Sequence, residues 1–222
     1  MDLRFFLRLR SDQRRLSQLK PPALQRIVVA TANPGKLAEI SALLAPRGVE
    51  VLPASAWGAE VVPEPHATFI ENALAKARHV AAATGLPALA DDSGLCVGAL
   101  GGAPGARSAR FVGEAATDGD NNRKLLEALQ GETQRGAYYY CVMVLLSSPD
   151  DPRPLVAEGE WGGEIGLAPR GTGGFGYDPL FVVPALGKTA AELAPEEKNR
   201  LSHRGQALRR LLEQLEARWS LP

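Results

Sequence analysis

Leu86-Pro87-Ala88-Leu89-Ala90-Asp91-Asp92-Ser93-Gly94 sets a run of small apolar residues directly against two adjacent carboxylates. The apolar half reads as a buried strand. Ionised carboxylates at the end of such a strand are costly to bury unless a metal, a cation or several donors meet them. Open α/β folds place ligands just beyond the carboxyl ends of their strands, and Ser93-Gly94 then reads as the turn that follows. The same letters also make an ordinary surface turn, since Asp, Ser and Gly are all turn formers. The neighbouring segments decide between the two.

Upstream, Arg26-Ile27-Val28-Val29-Ala30-Thr31 is a β-branched strand and Ala32-Asn33-Pro34-Gly35 a turn. From Lys36 to Ala45 the apolar residues Leu37, Ile40, Leu43 and Leu44 have the spacing of an amphipathic helix. Val49 to Leu52 predicts a second strand. Thr68, with Glu71 three residues on, forms a capping box for a helix from Phe69 to Thr84 that stops at Gly85. Downstream, Asp118 to Leu129 predicts a helix, Ala137 to Leu146 a central strand, and Leu155 to Gly166 a strand containing or followed by a bulge. Thr189 opens a short helix. Pro195-Glu196-Glu197-Lys198 opens another, with proline and acids in its first turn, and the last helix reaches Trp219. Alternating strands and helices indicate α/β. Consecutive strands between 137 and 166 without a helix between them add an antiparallel portion, so the sheet is mixed.

The chain has 222 residues, 45% hydrophobic and 23% charged, enough for one soluble domain or two closely packed lobes. No apolar run approaches the ~18 residues that span a bilayer, so no membrane partner is expected. Cys96 and Cys141 are far apart in apolar contexts and read as reduced core residues of a cytoplasmic protein. Net charge is zero but unevenly spread: residues 1–26 carry seven Lys/Arg against Asp2 and Asp12, leaving 18 basic and 23 acidic residues in 27–222. An acidic body argues against nucleic acid as a partner. Residues 1–25 read as an N-terminal extension, disordered or a short basic helix, and its arginines exclude a secretory signal. The functional domain then spans 26–222.

Four blocks carry chemistry. In Thr31-Ala32-Asn33-Pro34-Gly35-Lys36 a strand ends, a tight turn exposes backbone N–H groups and a lysine opens a helix, an arrangement that suits phosphate. The first glycine of a Walker A loop is missing and Leu37 replaces its Ser/Thr. Asn72 and Lys76, four residues apart, share a helix face that reads as solvated, with Glu71 in the cap. Gly171 to Gly176 matches G-x-G-x-x-G literally, but Pro179 and the β-like Leu180 to Val183 follow it where a dinucleotide fingerprint needs a helix. Its glycines leave room for an aromatic ring, Phe175, to approach a flat base. Ser202 is the N-cap of the final helix, which puts His203 and Arg204 in the first turn. Cations there oppose the macrodipole unless an acceptor-rich ligand answers them.

TANPGK (31–36), TFIENALAKAR (68–78), ADDSGL (90–95), LGGAPGARSARF (100–111), GTGGFGYDPLF (171–181) and SHRGQAL (202–208) follow one another in this order. From Arg26 to Ala217 the combination closely resembles the inosine/xanthosine triphosphate pyrophosphatase family. The resemblance implies an elongated mixed α/β fold of two lobes around a central cleft, usually a homodimer. It implies Mg²⁺-dependent hydrolysis of the purine nucleoside triphosphates ITP, dITP and XTP to the monophosphate and pyrophosphate. Thr31, Ala32, Asn33, Pro34, Gly35 and Lys36 would then hold the phosphates, with Lys76 a further phosphate contact. Asp92 would be the general base and a metal ligand, and Ser93 would touch substrate. Phe175, Gly176, Tyr177 and Asp178 would frame base and sugar, while Lys198, His203 and Arg204 would read the purine. Neighbours in a strand point to opposite faces, so only one of Asp91 and Asp92 should line the cleft; the resemblance selects Asp92. The acidic pair that often precedes the Thr-Phe-x-Glu-Asn-Ala motif is here Pro63-Glu64, which leaves Glu64 as the remaining metal ligand.

Donor chemistry accounts for base choice. Hypoxanthine and xanthine present a 6-oxo acceptor where adenine presents an amino donor, and Lys198 and Arg204 can only donate. Guanine also has the 6-oxo group, and no residue identifies itself for rejecting its 2-amino group. A related pyrophosphatase for modified pyrimidine nucleotides and a nucleotide-binding module without turnover are the alternatives, separated by a substrate panel.

Overall fold

Ile27, Val28 and Val29 are fully buried, as a β-branched run in the middle of a two-sided sheet should be. A computed structural model describes residues 24–31, 33–59 and 64–219. Ala32, Pro63 and the extension up to residue 23 lie outside the described residues. Seven strands form one sheet in the order β2-β1-β3-β4-β5-β6-β7. They are β1 (Arg26–Val29), β2 (Glu50–Pro53), β3 (Ala88–Val97), β4 (Gly136–Leu146), β5 (Leu155–Ile165), β6 (Phe181–Val183) and β7 (Lys188–Thr189). β1 is parallel to β2 and β3, and β3 to β7 are successively antiparallel. The mixed sheet follows the expectation. The β4–β5 register runs without interruption from Gly136↔Glu164 to Leu145↔Leu155, so no bulge breaks β5 within it.

Among the described residues five helices flank the sheet: α1 (Pro34–Leu44), α2 (Phe69–Thr84), α3 (Asp118–Ala128), α4 (Pro195–Leu201) and α5 (His203–Arg218). On one face Leu89, Cys141, Met143 and Leu145 pack under Ile40 and Leu44 of α1 and Leu208, Leu211 and Leu215 of α5. On the other, Ala88, Ala90, Val142 and Val144 meet the small side chains Ala73, Ala77 and Ala81 of α2. A third cluster, with Leu95, Tyr139, Trp161, Phe181 and Leu125, fills the far end. Both cysteines are free and buried.

Two local expectations change. α1 starts at Pro34, two residues early, because Asn33 caps it: its Oδ1 accepts from the N–H groups of Gly35 and Lys36 at 2.9 and 3.2 Å. The short helix after Thr189 is a single 3₁₀ turn, Ala190–Glu192.

The largest correction concerns the opening segment. β3 does not end at its carboxylates; it continues through Asp91, Asp92, Ser93 and Gly94 to Val97, paired with β4 throughout. Gly94 is no turn residue. A Cβ there would lie 2.3 Å from the Gly105 carbonyl oxygen and 2.5 Å from Ser108 Oγ, so glycine is required for close backbone approach. β1 pairs with β3 only at Val28↔Ala88 and Val29↔Leu89. Past Leu89 no strand among the described residues lies beside that edge of β3 until the isolated bridge of Cys96 to Pro104, and in this gap the cleft opens.

Candidate active site

A cavity of about 500 Å³ sits at this open edge. Lys36, Lys76, Lys198 and Arg204 contribute to its wall, together with Glu64, Asp91, Ser93 and Phe175. Their backbones come from the first turn of α1, from the loop before α2 and α2 itself, from β3, from the glycine-rich loop before β6, and from α4 and α5.

The chain leading into α1 and its first turn bring Thr31, Asn33 and Lys36 to the wall. Asn33 N–H donates to Thr31 Oγ1 at 3.1 Å. Two N–H groups expected to be open, those of Gly35 and Lys36, are occupied by the Asn33 cap, so Lys36 Nζ is the principal cation here. It lies 2.7 Å from Asp91 Oδ2.

Asn72 and Lys76 are 1% and 6% exposed, which overturns the solvated-face reading. Both turn inward because Asp92 needs them. Asn72 Nδ2 donates to Asp92 Oδ2 at 3.2 Å, and Lys76 Nζ donates to Asp92 Oδ1 at 3.2 Å and Glu64 Oε1 at 2.6 Å. Arg110, which the sequence reading passed over, grips Glu64 from the far side: Nη1 reaches Oε2 at 3.0 Å, and Nη2 donates to the Glu64 carbonyl.

The two neighbouring acids occupy opposite faces, as strand geometry requires, but Asp91 and not Asp92 contributes to the cavity wall. Asp92 is linked to that wall through Lys76, whose Nζ bonds both Asp92 and Glu64. Burial pushes the Asp92 carboxyl up to about 6, with the Lys76 charge working against that rise and Glu64 adding to it. Burial also works upward on Asp91, but the charges of Lys36, Arg204 and Lys76 outweigh it and hold the group well below the usual carboxylate range. Burial works downward on Lys76, whereas Asp92, Asp91 and Glu64 together hold it above its ordinary value and therefore charged.

Ser202 Oγ accepts from Gly205 N–H, capping α5 and setting His203 and Arg204 in its first turn as expected. Arg204 Nη2 donates to Ser93 Oγ at 3.3 Å, and its Nε lies 3.6 Å from Asp91 Oδ2. The His203 ring stacks on Tyr139 with centroids 4.8 Å apart. Burial, then the charges of Arg204 and Lys198, hold His203 far below its ordinary pKa and keep it neutral.

Phe175 is 43% exposed, with Lys198 Nζ 4.9 Å and the Arg204 guanidinium 5.6 Å from its ring centroid. Tyr177 and Asp178 line the cavity, but their polar atoms serve the loop. Tyr177 Oη donates to the Ser108 carbonyl at 2.8 Å. Asp178 Oδ2 accepts from Lys198 Nζ at 2.5 Å and Phe175 N–H at 2.8 Å, and its Oδ1 accepts from Tyr139 Oη at 3.3 Å. Tyr139 and Asp118 also reach the wall; nothing local in the sequence marks either one.

The donor set suits a hard cation. Glu64 and Asp92 present carboxylate oxygens to one point, now shared through Lys76. Among the described residues no cluster of three or more His, Cys, Asp or Glu could hold a metal. Two carboxylates completed by water and substrate phosphates is the way Mg²⁺ is commonly held, and Glu64 and Asp92 fit that pattern.

The sequence profile of the Ham1 family matches residues 27–214. This chain belongs to the Ham1 family. Every residue of the cavity wall lies within the matched span of this Ham1 protein. A dITP/XTP pyrophosphatase of Nitrosomonas europaea is 60% identical over 199 residues, covering 90% of this chain and 98% of its own. One from Ralstonia nicotianae is 58% identical over 195 residues, covering 86% and 97%. Among solved structures, a HAM1 protein from Coxiella burnetii superposes with a TM-score of 0.83 at 48% identity, covering 86% of this chain and 98% of its own. The Staphylococcus aureus Ham1 protein reaches 0.80 at 39% identity, with the same coverage. The Ham1 fold is thus reproduced along nearly the whole of each neighbour.

Proposed function

We propose that this protein hydrolyses deaminated purine nucleoside triphosphates, ITP, dITP and XTP, to the monophosphate and pyrophosphate, and so cleanses the nucleotide pool. The observation that carries this is one cavity that combines four donor-only cations with a half-exposed aromatic ring. The names of the relatives from Nitrosomonas europaea and Ralstonia nicotianae support the same substrates.

Lys36 and Lys76 bind the phosphates, with Thr31, Asn33, Pro34 and Gly35 shaping the turn beneath them. The bond broken lies between the α and β phosphorus atoms. Asp92 takes a proton from the attacking water, and its raised pKa suits a base near neutral pH. Asn72 fixes the orientation of that carboxylate, and Arg110 fixes Glu64. Glu64 and Asp92 would hold Mg²⁺, and the chemistry it would supply there is positive charge toward the phosphate oxygens. Pyrophosphate leaves with the bonding electron pair, and its charge is met by Lys36 and Lys76.

At the base, Phe175 provides a stacking face, and Lys198, His203 and Arg204 surround it, with Ser93 supporting Arg204. Arg204 and Lys198 donate to a 6-oxo group. An adenine amino group would leave those donors facing another donor, a buried mismatch of ~1–3 kcal/mol. The protein acts as a homodimer in the cytoplasm, with the nucleotide as its partner and neither nucleic acid nor membrane. No helix among the described residues is long and apolar enough to cross a bilayer. The domain begins after the basic extension, which takes no part in the chemistry.

Steady-state pyrophosphate release from ITP, XTP, GTP and ATP, with and without Mg²⁺, tests the reading. Release from ITP and XTP well above ATP, and abolished by chelation, is expected. Equal rates on ITP and ATP would refute it. Light scattering at micromolar concentration reports the dimer.

A further inference from the structure

The backbone that carries Phe175 is held from outside its own loop. Both backbone polar groups of Gly176, the residue after Phe175, are taken by the first turns of α3. Asp118 Oδ2 accepts from Gly176 N–H at 2.6 Å, and Asn122 Nδ2 donates to the Gly176 carbonyl at 2.8 Å. Gly176 has φ +61°, a left-handed conformation that leaves the chain free of steric guidance at this point. On the other flank, Asp178 accepts the Phe175 N–H at 2.8 Å and returns its own N–H to the Phe175 carbonyl at 3.3 Å. The residue before Asn122 on the same helix, Asn121, donates to the Ala109 carbonyl and accepts from Val112 N–H. That fixes the segment whose Ser108 carbonyl receives Tyr177 Oη. Neither Asp118 nor Asn122 spends its bond on helix capping, which Thr117 and Asp120 already provide. Their only described side-chain hydrogen bonds are those to Gly176.

We infer that Asp118 and Asn122 are positioning residues for base selection: a two-point latch from α3 that sets where the Phe175 ring stands beside Lys198 and Arg204. This rests on the proposed nucleotide reading, in which Phe175 stacks on the base. The latch acts on binding of the base, not on the chemistry at phosphorus. Opening it lets the ring move out of register with the donors, so a 6-oxo purine loses its advantage over adenine while phosphate chemistry at Asp92 continues.

The test is a cycle of Asp118→Ala with Asn122→Ala, in the wild-type and Phe175→Ala backgrounds, read by pyrophosphate release from ITP and ATP. In the wild-type background the double variant should raise KM for ITP ~10-fold with kcat within ~3-fold, and leave ATP kcat/KM within ~3-fold. With Phe175→Ala already present, the same pair should change ITP kcat/KM by less than ~2-fold, because residues acting through one group are not additive. An equal loss on both nucleotides, a loss confined to kcat, or full additivity with Phe175→Ala would overturn the latch. Should the double variant fail to fold by circular dichroism, Asn122→Ala alone gives the same readout at a half-buried position. Wild-type protein that does not favour ITP over ATP would refute the functional reading itself; a wild-type preference that survives the double variant refutes only the latch.

Discussion

Asp92 accepts hydrogen bonds from Lys76 and Asn72, at 3.2 Å each, and shares the Lys76 ammonium with Glu64. Replacing it with asparagine keeps the volume and the strand but removes both the base and a charged oxygen. Asp92→Asn should therefore lower kcat by ~10²–10⁴-fold while nucleotide affinity, measured by equilibrium titration, changes far less. Retention of a tenth of the wild-type rate would move the base elsewhere, and Asp91 on the cavity wall would be the first residue to examine. Arg204 tests the base end in the same way. Arg204→Ala should cost ITP kcat/KM ~1–3 kcal/mol through loss of a charge-assisted hydrogen bond, and ATP much less. The measured ratio of the two specificity constants should then collapse. Proportional losses would instead place Arg204 in the phosphate or scaffold role, which its contacts with Asp91 and Ser93 make physically reasonable.

At the scale of the element, β3 carries the site because it is long and buried. Its carboxylates stay in the strand because cations from α1, α2 and α5 reach them, and its glycine stays because another segment presses against it. Gly94→Ala is expected to destabilise by ~1–3 kcal/mol in urea unfolding, since the added methyl meets a backbone carbonyl that cannot rotate away. A turn glycine with negative φ would tolerate the same change. Gly159 on β5 does similar work, as a Cβ there would sit 2.0 Å from the His203 carbonyl oxygen. That close approach is what brings the first turn of α5, with His203 and Arg204, down onto the sheet. The bounds of α2 were readable: Thr68 caps it by accepting from Glu71 N–H, and Gly85, at φ +66°, stops it, although the expected capping box is only half formed, since the Glu71 carboxylate accepts from the Thr68 hydroxyl and not from its backbone N–H. Both signals act within a few residues, so no tertiary contact was needed to interpret them.

For the whole molecule, the two residues before Arg26 already touch the folded body. Leu24 is 2% exposed within the cluster formed by α1, α5 and the sheet, and the Gln25 carbonyl accepts from Glu50 N–H beside β2. Removal of residues 1–22 should leave both Tm and ITP turnover unchanged, whereas Leu24→Ala should cost ~2–5 kcal/mol of stability as a core truncation. A truncated protein that melts lower would show that the basic extension packs on the body. The alternating periodicity, the caps, the glycine stops and the order of the motifs by themselves determined the mixed α/β sheet and the family resemblance, because each is a local property of the chain. Only the tertiary structure decided that Asp-Asp-Ser-Gly is strand, that Asn72 and Lys76 face inward, and that α3 holds the Phe175 loop. A buried charge is tolerated only where its partner stands, and the Lys36 that meets Asp91 is 55 residues away in the chain.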